Sequence, residues 1–194
     1  MLKYGWLALV VLVVFGAAFT LLRPPASVGS TTDVVLRGVR LRMYPTQDQS
    51  AEWRFAASEV TYDPVASQTN ITRPTQGERY VRNASGIFEL DSTLSTSALT
   101  IDANSNLRMT RATVAIPSQC ASATLTGSQA SPVVVQQDVG FVAPKATMRA
   151  PSYSADVTDM QATFALVVQR GRSKLRLNPD STAECVDGKI IQQR

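Results

Sequence analysis

Residues 36–64 read LRGVRLRMYPTQDQSAEWRFAASEVTYDP, and the way their side chains sort decides the fold. Arginines and apolar residues are mixed too evenly for a helical stripe or for a strand buried on both faces. They sort with period two instead: Val39, Leu41 and Met43 against Arg40, Arg42 and Tyr44, then Trp53 and Phe55 against Glu52 and Arg54. Successive side chains of a strand point to opposite faces, so the pattern predicts two half-buried strands joined by the polar turn YPTQDQS. Val39, Leu41, Met43, Trp53 and Phe55 face inward on this reading, and Arg40, Arg42 and Arg54 face out. Val60 and Tyr62 fall on the opposite alternation from Phe55, which predicts a bulge near Ala56 and Ala57.

The same period returns at Leu99 and Ile101, at Leu107 and Met109 against Arg108 and Thr110, and at Phe164, Leu166 and Val168. Between these runs lie breaks rich in Pro, Gly, Asn, Asp and Ser: DPVASQTN, RPTQG, DANSN, PSQC, TGSQASP and NPDS. Breaks at such short intervals predict an all-β sandwich, roll or barrel. Val157, Met160, Phe164 and Val168 also fit a helical stripe, but the Thr and Val content of that window favours strand. RFAASEVTYDP at 54–64 is echoed by GFVAPKATMRAP at 140–151, which suggests two similar β-units, about 34–130 and 131–194.

The amino-terminal end is built differently. Tyr4 to Leu22 contains no charge and is rich in Val, Leu, Ala and Phe, nearly enough residues to cross a hydrocarbon core of about 30 Å. The run exceeds the apolar core of a secretory signal, so residues 1–23 are expected to be a retained transmembrane anchor rather than a cleaved leader. Residues 24–33, with Pro24 and Pro25 at their start, read as a helix-free tether, and 34–194 as one extracytoplasmic β-domain. Lys3 on one side is set against Arg23 and Arg37 on the other, but a short charged head, one span and a long tail have the form of a signal anchor, so the amino terminus is expected in the cytoplasm.

Without residues 1–23 the chain has 17 basic and 15 acidic residues, scattered, so no nucleic-acid partner is expected. Histidine is absent altogether, which removes the Ser-His-Asp and Cys-His nucleophile systems and the commonest general base. Glu89 and Asp91 would share a face of an extended segment, a spacing that a carboxylate-dependent hydrolase or a solvated strand face can equally contain. Neither a phosphate-binding glycine loop nor a metal motif is visible, so no cofactor and no metal are expected. Cys120 and Cys185 match no zinc or redox spacing. In an oxidising compartment they can pair, closing a loop of about 66 residues for about 4 kcal/mol; otherwise they are two buried thiols.

Lipid is the ligand class that suits this composition. A β-roll with Val39, Leu41, Met43, Trp53, Phe55, Phe88, Leu90, Leu99, Ile101, Leu107 and Met109 on its inner face either closes as a dry core or stays open as a slot for acyl chains.

The order of features over residues 1–116 is also familiar. One amino-terminal span, a short tether, VVLRGVRLRMY, AEWRFAASEVTYD and SALTIDANSNLRMT resemble the LptC-like periplasmic proteins of lipopolysaccharide export and their relatives in the OstA superfamily. Trp53, Phe55, Ala57 and Tyr62 occupy the places of that family's strand motif. The resemblance implies a β-jellyroll of two facing antiparallel sheets, held in the inner (cytoplasmic) membrane beside an ABC transporter with its carboxy-terminal domain in the periplasm. Such proteins hydrolyse nothing; they take lipid from the bilayer and pass it along an apolar interior to a neighbouring jellyroll bound by edge-strand augmentation. The cysteine pair, the polar stretch at 117–132 and the echo at 140–151 depart from the pattern, and leave the lipid's identity open. A rival expectation from the same residues is an envelope assembly protein with a closed β core that binds only proteins.

Overall fold

The computed structural model describes residues 34–178 and 183–192; the expected anchor and tether lie outside them. The described chain is all-β and antiparallel. β1 (Val34–Met43) and β2 (Ala51–Asp63) form the expected hairpin, with Val39 opposite Ala57, Leu41 opposite Phe55 and Met43 opposite Trp53. β3 (Gln68–Arg82) adds to β2.

From β3 onward the sheet divides into two limbs. β4 (Phe88–Ser95) pairs with residues 77–82 of β3, whereas β5 (Ala98–Ile101) pairs with residues 69–72. β6 (Leu107–Met109) continues from β5, while β7 (Arg111–Ile116) continues from β4. β8 (Ala121–Thr126) then pairs with β7, and β9 (Val133–Gln136) with β6. β10 (Gly140–Ala150) reunites the limbs by pairing with β9 through residues 140–142 and with β8 through residues 145–149. β11 (Tyr153–Ala162) and β12 (Val168–Leu177) follow as ordinary hairpin additions.

The description simplifies once β4 with β5, β7 with β6, and β8 with β9 are each taken as one strand broken at its middle. The twelve-stranded sheet is then a meander of nine rows stacked in chain order and creased along one line. The first limb contains β4, β7 and β8, and the second contains β5, β6 and β9.

Left-handed backbone marks the crease, since such residues turn the strand axis. Gly38 (φ 62°) in β1 and Arg73 (φ 47°) in β3 lie level with Ser58 of β2, and Asp159 (φ 54°) sits where the β11–β12 register shifts. Hydrogen bonds carry the line across the broken rows: Arg73 N–H donates to Ser97 O (2.8 Å), Thr96 Oγ1 to Arg111 O (2.7 Å), and Gly127 N–H to Thr110 O (2.8 Å). RPTQG and TGSQASP, which read as turns, are therefore crease segments. The first lies inside β3, and the second is a loop that breaks row six.

The expected change of parity in β2 is present, because Ala57 and Val60 are both buried. No bulge at Ala56–Ala57 of β2 causes it. β1 and β2 keep one register throughout, and the inserted residue lies in β3, where Gln76 and Gly77 together oppose Phe55.

A second parity change corrects the inner-face set. Phe88 and Leu90 were expected inside, yet Leu90 is 40 % exposed and Phe88 is half-buried, lying under the Arg82 guanidinium on the outer face. The reason is a bulge at Asp91: Tyr80 opposes Leu90 but Arg79 opposes Ser92, so the inward positions of β4 are Ser92 and Leu94.

One core lies between the limbs. Trp53, Phe55, Leu99, Ile101, Leu107 and Met109 belong to it, and Val39, Leu41 and Met43 pack against it half-buried. The window with the competing helical stripe is strand at Val157 and Met160, and Phe164 lies in the β11–β12 connection. Strand pairing crosses residue 130 in both limbs, so the suggested units are not separate. Phe55 and Phe141, aligned by the echo, are both buried but stand in opposite limbs.

A small hairpin, β13 (Ala183–Val186) and β14 (Lys189–Gln192), stands apart from the sheet. Cys185 joins it by a disulfide to Cys120, which follows the 3-10 turn Pro117–Gln119 between β7 and β8; the two Cα atoms are 5.6 Å apart.

Candidate functional site

Three features of the folded sheet could act on a partner: its interior, its lips opposite the crease, and its first and last rows. The interior is filled. Trp53, Leu107, Leu125, Val133, Val135 and Phe141 have no exposed surface, and the Trp53 and Phe55 rings stack with centroids 5.8 Å apart.

The lips are held together by polar groups. Trp53 Nε1–H, on row two of the first limb, donates to Gln137 Oε1 (2.9 Å) at the end of β9 in the second. Gln137 Nε2 in turn donates to Ser105 O (3.0 Å) in the β5–β6 turn, so a fully buried amide is satisfied on both sides. Beside it Arg79, only 5 % exposed, places its guanidinium 3.7 Å from the centre of the Phe164 ring. Its Nη1 and Nη2 pair with Asp91 and Asp48, while Nε and the facing Ser92 Oγ have no partner among the described residues.

The outer face of rows one to three is an ionic ladder. Glu52, which alternation places on the solvated face, is 2 % exposed because Arg42 (3.5 Å) and Arg54 (2.8 Å) lie over it. The hydrogen bond and charge of Arg54, with Arg42 behind it, hold the Glu52 carboxyl below its ordinary range against the opposing effect of burial. Arg54 also covers the Tyr80 ring at 3.9 Å, and Tyr80 Oη donates to Glu78 (3.0 Å), which raises the phenol. Arg40 and Arg42 are exposed as expected; Arg54 is half-buried.

Glu89 and Asp91, the carboxylates at hydrolase spacing, have separate structural duties. Glu89 accepts from Asn83 Nδ2 (2.6 Å) in the β3–β4 turn, and Asp91 neutralises Arg79. Asn83 caps that turn by accepting from the Ser85 and Ile87 amides, and Asn70 accepts from Thr100 Oγ1 (2.7 Å). Among the described residues there is no cluster of three or more metal-ligating side chains, and no helix is long and apolar enough to cross a membrane.

The terminal rows differ from all the others. Among the described residues β1 pairs only with β2, and β12 only with β11, so within them each ten-residue strand has one unpaired edge. Their inward-facing apolar residues are also uncovered. In β1, Leu36 opposite buried Val60 is 49 % exposed and Val34 is 51 % exposed. In β12, Leu175 opposite buried Ala155 is 57 % exposed and Leu177 is 69 % exposed. Among the described residues, the inner surface of the sheet thus continues to both ends of the stack without a cap. Sequence reasoning missed Leu175 and Leu177 because RSKLRL reads as a charged, solvated run; only the register with β11 places them on the inner face.

No protein-family model matches the chain, and no curated protein matches it in sequence.

Proposed function

We propose that this chain is a membrane-anchored, non-enzymatic bridging subunit of the cell envelope: a jellyroll of the LptC-like type, with the sheet limbs as its two facing sheets. It accepts a lipopolysaccharide-like lipid from an inner-membrane ABC transporter and hands it along its apolar interior to a neighbouring jellyroll. The observation that carries this reading is the uncapped stack. Among the described residues, both terminal rows offer a free strand edge together with the inward apolar residues Val34, Leu36, Leu175 and Leu177. A neighbour adding one strand there would satisfy the edge and extend the apolar surface in a single step. An acyl chain costs about 0.8 kcal/mol per exposed CH₂, so continuity of cover is what transfer across water requires.

A second reading rests on a different observation. The filled interior around Trp53, Leu107 and Phe141 suits an assembly protein that binds only other proteins through the same edges.

Photo-crosslinking in the full-length, membrane-embedded chain separates the two. A crosslinker at Leu175 captures a protein neighbour in both readings. One at Phe55 or Leu107 captures lipid only in the transfer reading, and absence of lipid there under active export removes it.

A further inference from the structure

The outer face of the first limb carries an array of cations over rows five to nine that neither the edges nor the interior explain. Cross-strand register sets it out. One rung places Arg111, Lys145 and Arg172 on alternate strands with threonines between them. The parallel rung four residues along the strands places Arg149 and Arg176 on alternate strands with serines between. Lys174 stands on the middle rung.

All six cations are exposed, and the one acidic residue on these rungs is Asp156, which accepts from Thr147 (3.0 Å) and pairs with Arg176 (3.1 Å). Asp159 pairs with Arg172 at the crease, and both of those side chains are largely in water. Rows one to four of the same sheet interleave cations with carboxylates: Glu52 lies between Arg42 and Arg54, Glu78 accepts from Tyr80, and Arg82 lies over Phe88. Rows five to nine set the six cations against the single carboxylate of their rungs.

Cations on alternate strands stand about 10 Å apart, and residues two apart along a strand about 7 Å. The array therefore covers roughly 20 by 14 Å, with short hydroxyl side chains filling the intervals. Arg172, Lys174 and Arg176 line a shallow concavity on row nine together with Asp156, but Arg111, Lys145 and Arg149 lie outside it on rows five and seven, so the array as a whole is spread over the face and does not converge on one discrete anion. No aromatic residue interleaves them, as a single-stranded nucleic acid would need. A two-dimensional spread of long cationic side chains fits an extended, phosphate-bearing surface.

We propose that this outer face docks on an anionic lipid bilayer, its arginines and lysines meeting headgroup phosphates. Each cation at such a surface contributes about a fivefold factor in the docking equilibrium at physiological salt. The proposal is separate from bridging, which uses strand edges and interior, so either can fail while the other stands.

The test uses the full chain reconstituted in vesicles of phosphatidylcholine, with or without phosphatidylglycerol. A fluorophore is placed on Thr147→Cys at the centre of the array, or on Thr72→Cys on the outer face of the second limb, and a quencher is carried by the headgroups. Quenching at 147 but not at 72, dependent on phosphatidylglycerol and abolished by high salt, is the expected result. Lys145→Gln with Lys174→Gln lowers the docked-to-free ratio about 25-fold. Equal quenching in neutral vesicles, equal quenching at 72, or indifference to the two glutamines overturns the proposal. Protection of the 147 label by soluble polyphosphate without any response to phosphatidylglycerol also overturns it, in favour of a polymeric anion.

Discussion

Trp53 and Gln137, 84 residues apart in the chain, are joined by a 2.9 Å hydrogen bond that closes the lips of the folded sheet. Gln137→Leu removes the acceptor and leaves a buried indole N–H unpaired. Such a group costs about 1–3 kcal/mol, so chemical unfolding should register a loss of that size. Trp53→Phe added to Gln137→Leu removes the orphan donor as well, and the double variant should be more stable than the two single losses sum to. Strict additivity in the double-mutant cycle would show that the two side chains do not interact.

Arg79 binds Asp48 and Asp91 at once and lies against Phe164. Arg79→Met strands two part-buried carboxylates and is expected to cost about 3–5 kcal/mol. Arg79→Lys should recover little, because one ammonium cannot span both carboxylates and does not stack as a guanidinium does. Thermal melts of the two variants check this; a lysine variant as stable as the parent contradicts the bridging role.

Glu52 makes stability depend on pH in a defined direction. Its folded-state pKa lies below the ordinary 4.5, chiefly through the Arg54 hydrogen bond. A depressed carboxylate stabilises the fold fully above the unfolded value, and that contribution is lost as pH falls through the folded one. Asp102 acts in the same sense: burial pushes its carboxyl up, but bonds from Arg108 and the Asn104 and Asn106 amides outweigh it. Unfolding free energies should therefore fall as pH drops below about 4.5, and Arg54→Gln should flatten part of that slope. An unchanged slope in the variant would exclude Glu52 as a source.

The disulfide closes a loop that contains rows six to nine. Cys120→Ser with Cys185→Ser should cost about 2–4 kcal/mol and free the β13–β14 hairpin to proteolysis while the main sheet keeps its circular dichroism. Loss of the sheet signal as well would mean that the hairpin is integral to the sheet.

Gly77 sits in the β3 bulge, where a methyl group would collide with Leu94 O and come within 3.3 Å of the Phe55 ring. Gly77→Ala must push apart rows three and four and is expected to cost about 1–3 kcal/mol by overpacking, measured by the denaturation midpoint. Ala at the exposed position of Gln47 provides the neutral comparison.

Alternation in residues 39–43, 53–55, 99–101 and 107–109 was legible because strand period is local: each side chain's face follows from its neighbours two positions away. Phe88 and Leu90 were misplaced for the same reason. Nothing in FELDS announces that Asp91 is skipped in pairing with β3, and one skipped residue reverses every face before it. Glu52 likewise reads as a surface acid, since its burial depends on Arg42 from another strand folding over it.

By itself, then, the sequence determined the all-β class, the first hairpin, and Trp53, Phe55, Leu99, Ile101, Leu107 and Met109 as core residues, because these follow from short-range periodicity and turn chemistry. Only the tertiary structure decided that nine rows crease into one roll, that Trp53 meets Gln137, and that Leu36 and Leu175 end as uncovered inner-face residues. It alone aligned six cations from rows five to nine on one outer face. Those outcomes depend on which strands pair and at what register, and that is a property of contacts between residues far apart in the chain, which no local pattern encodes.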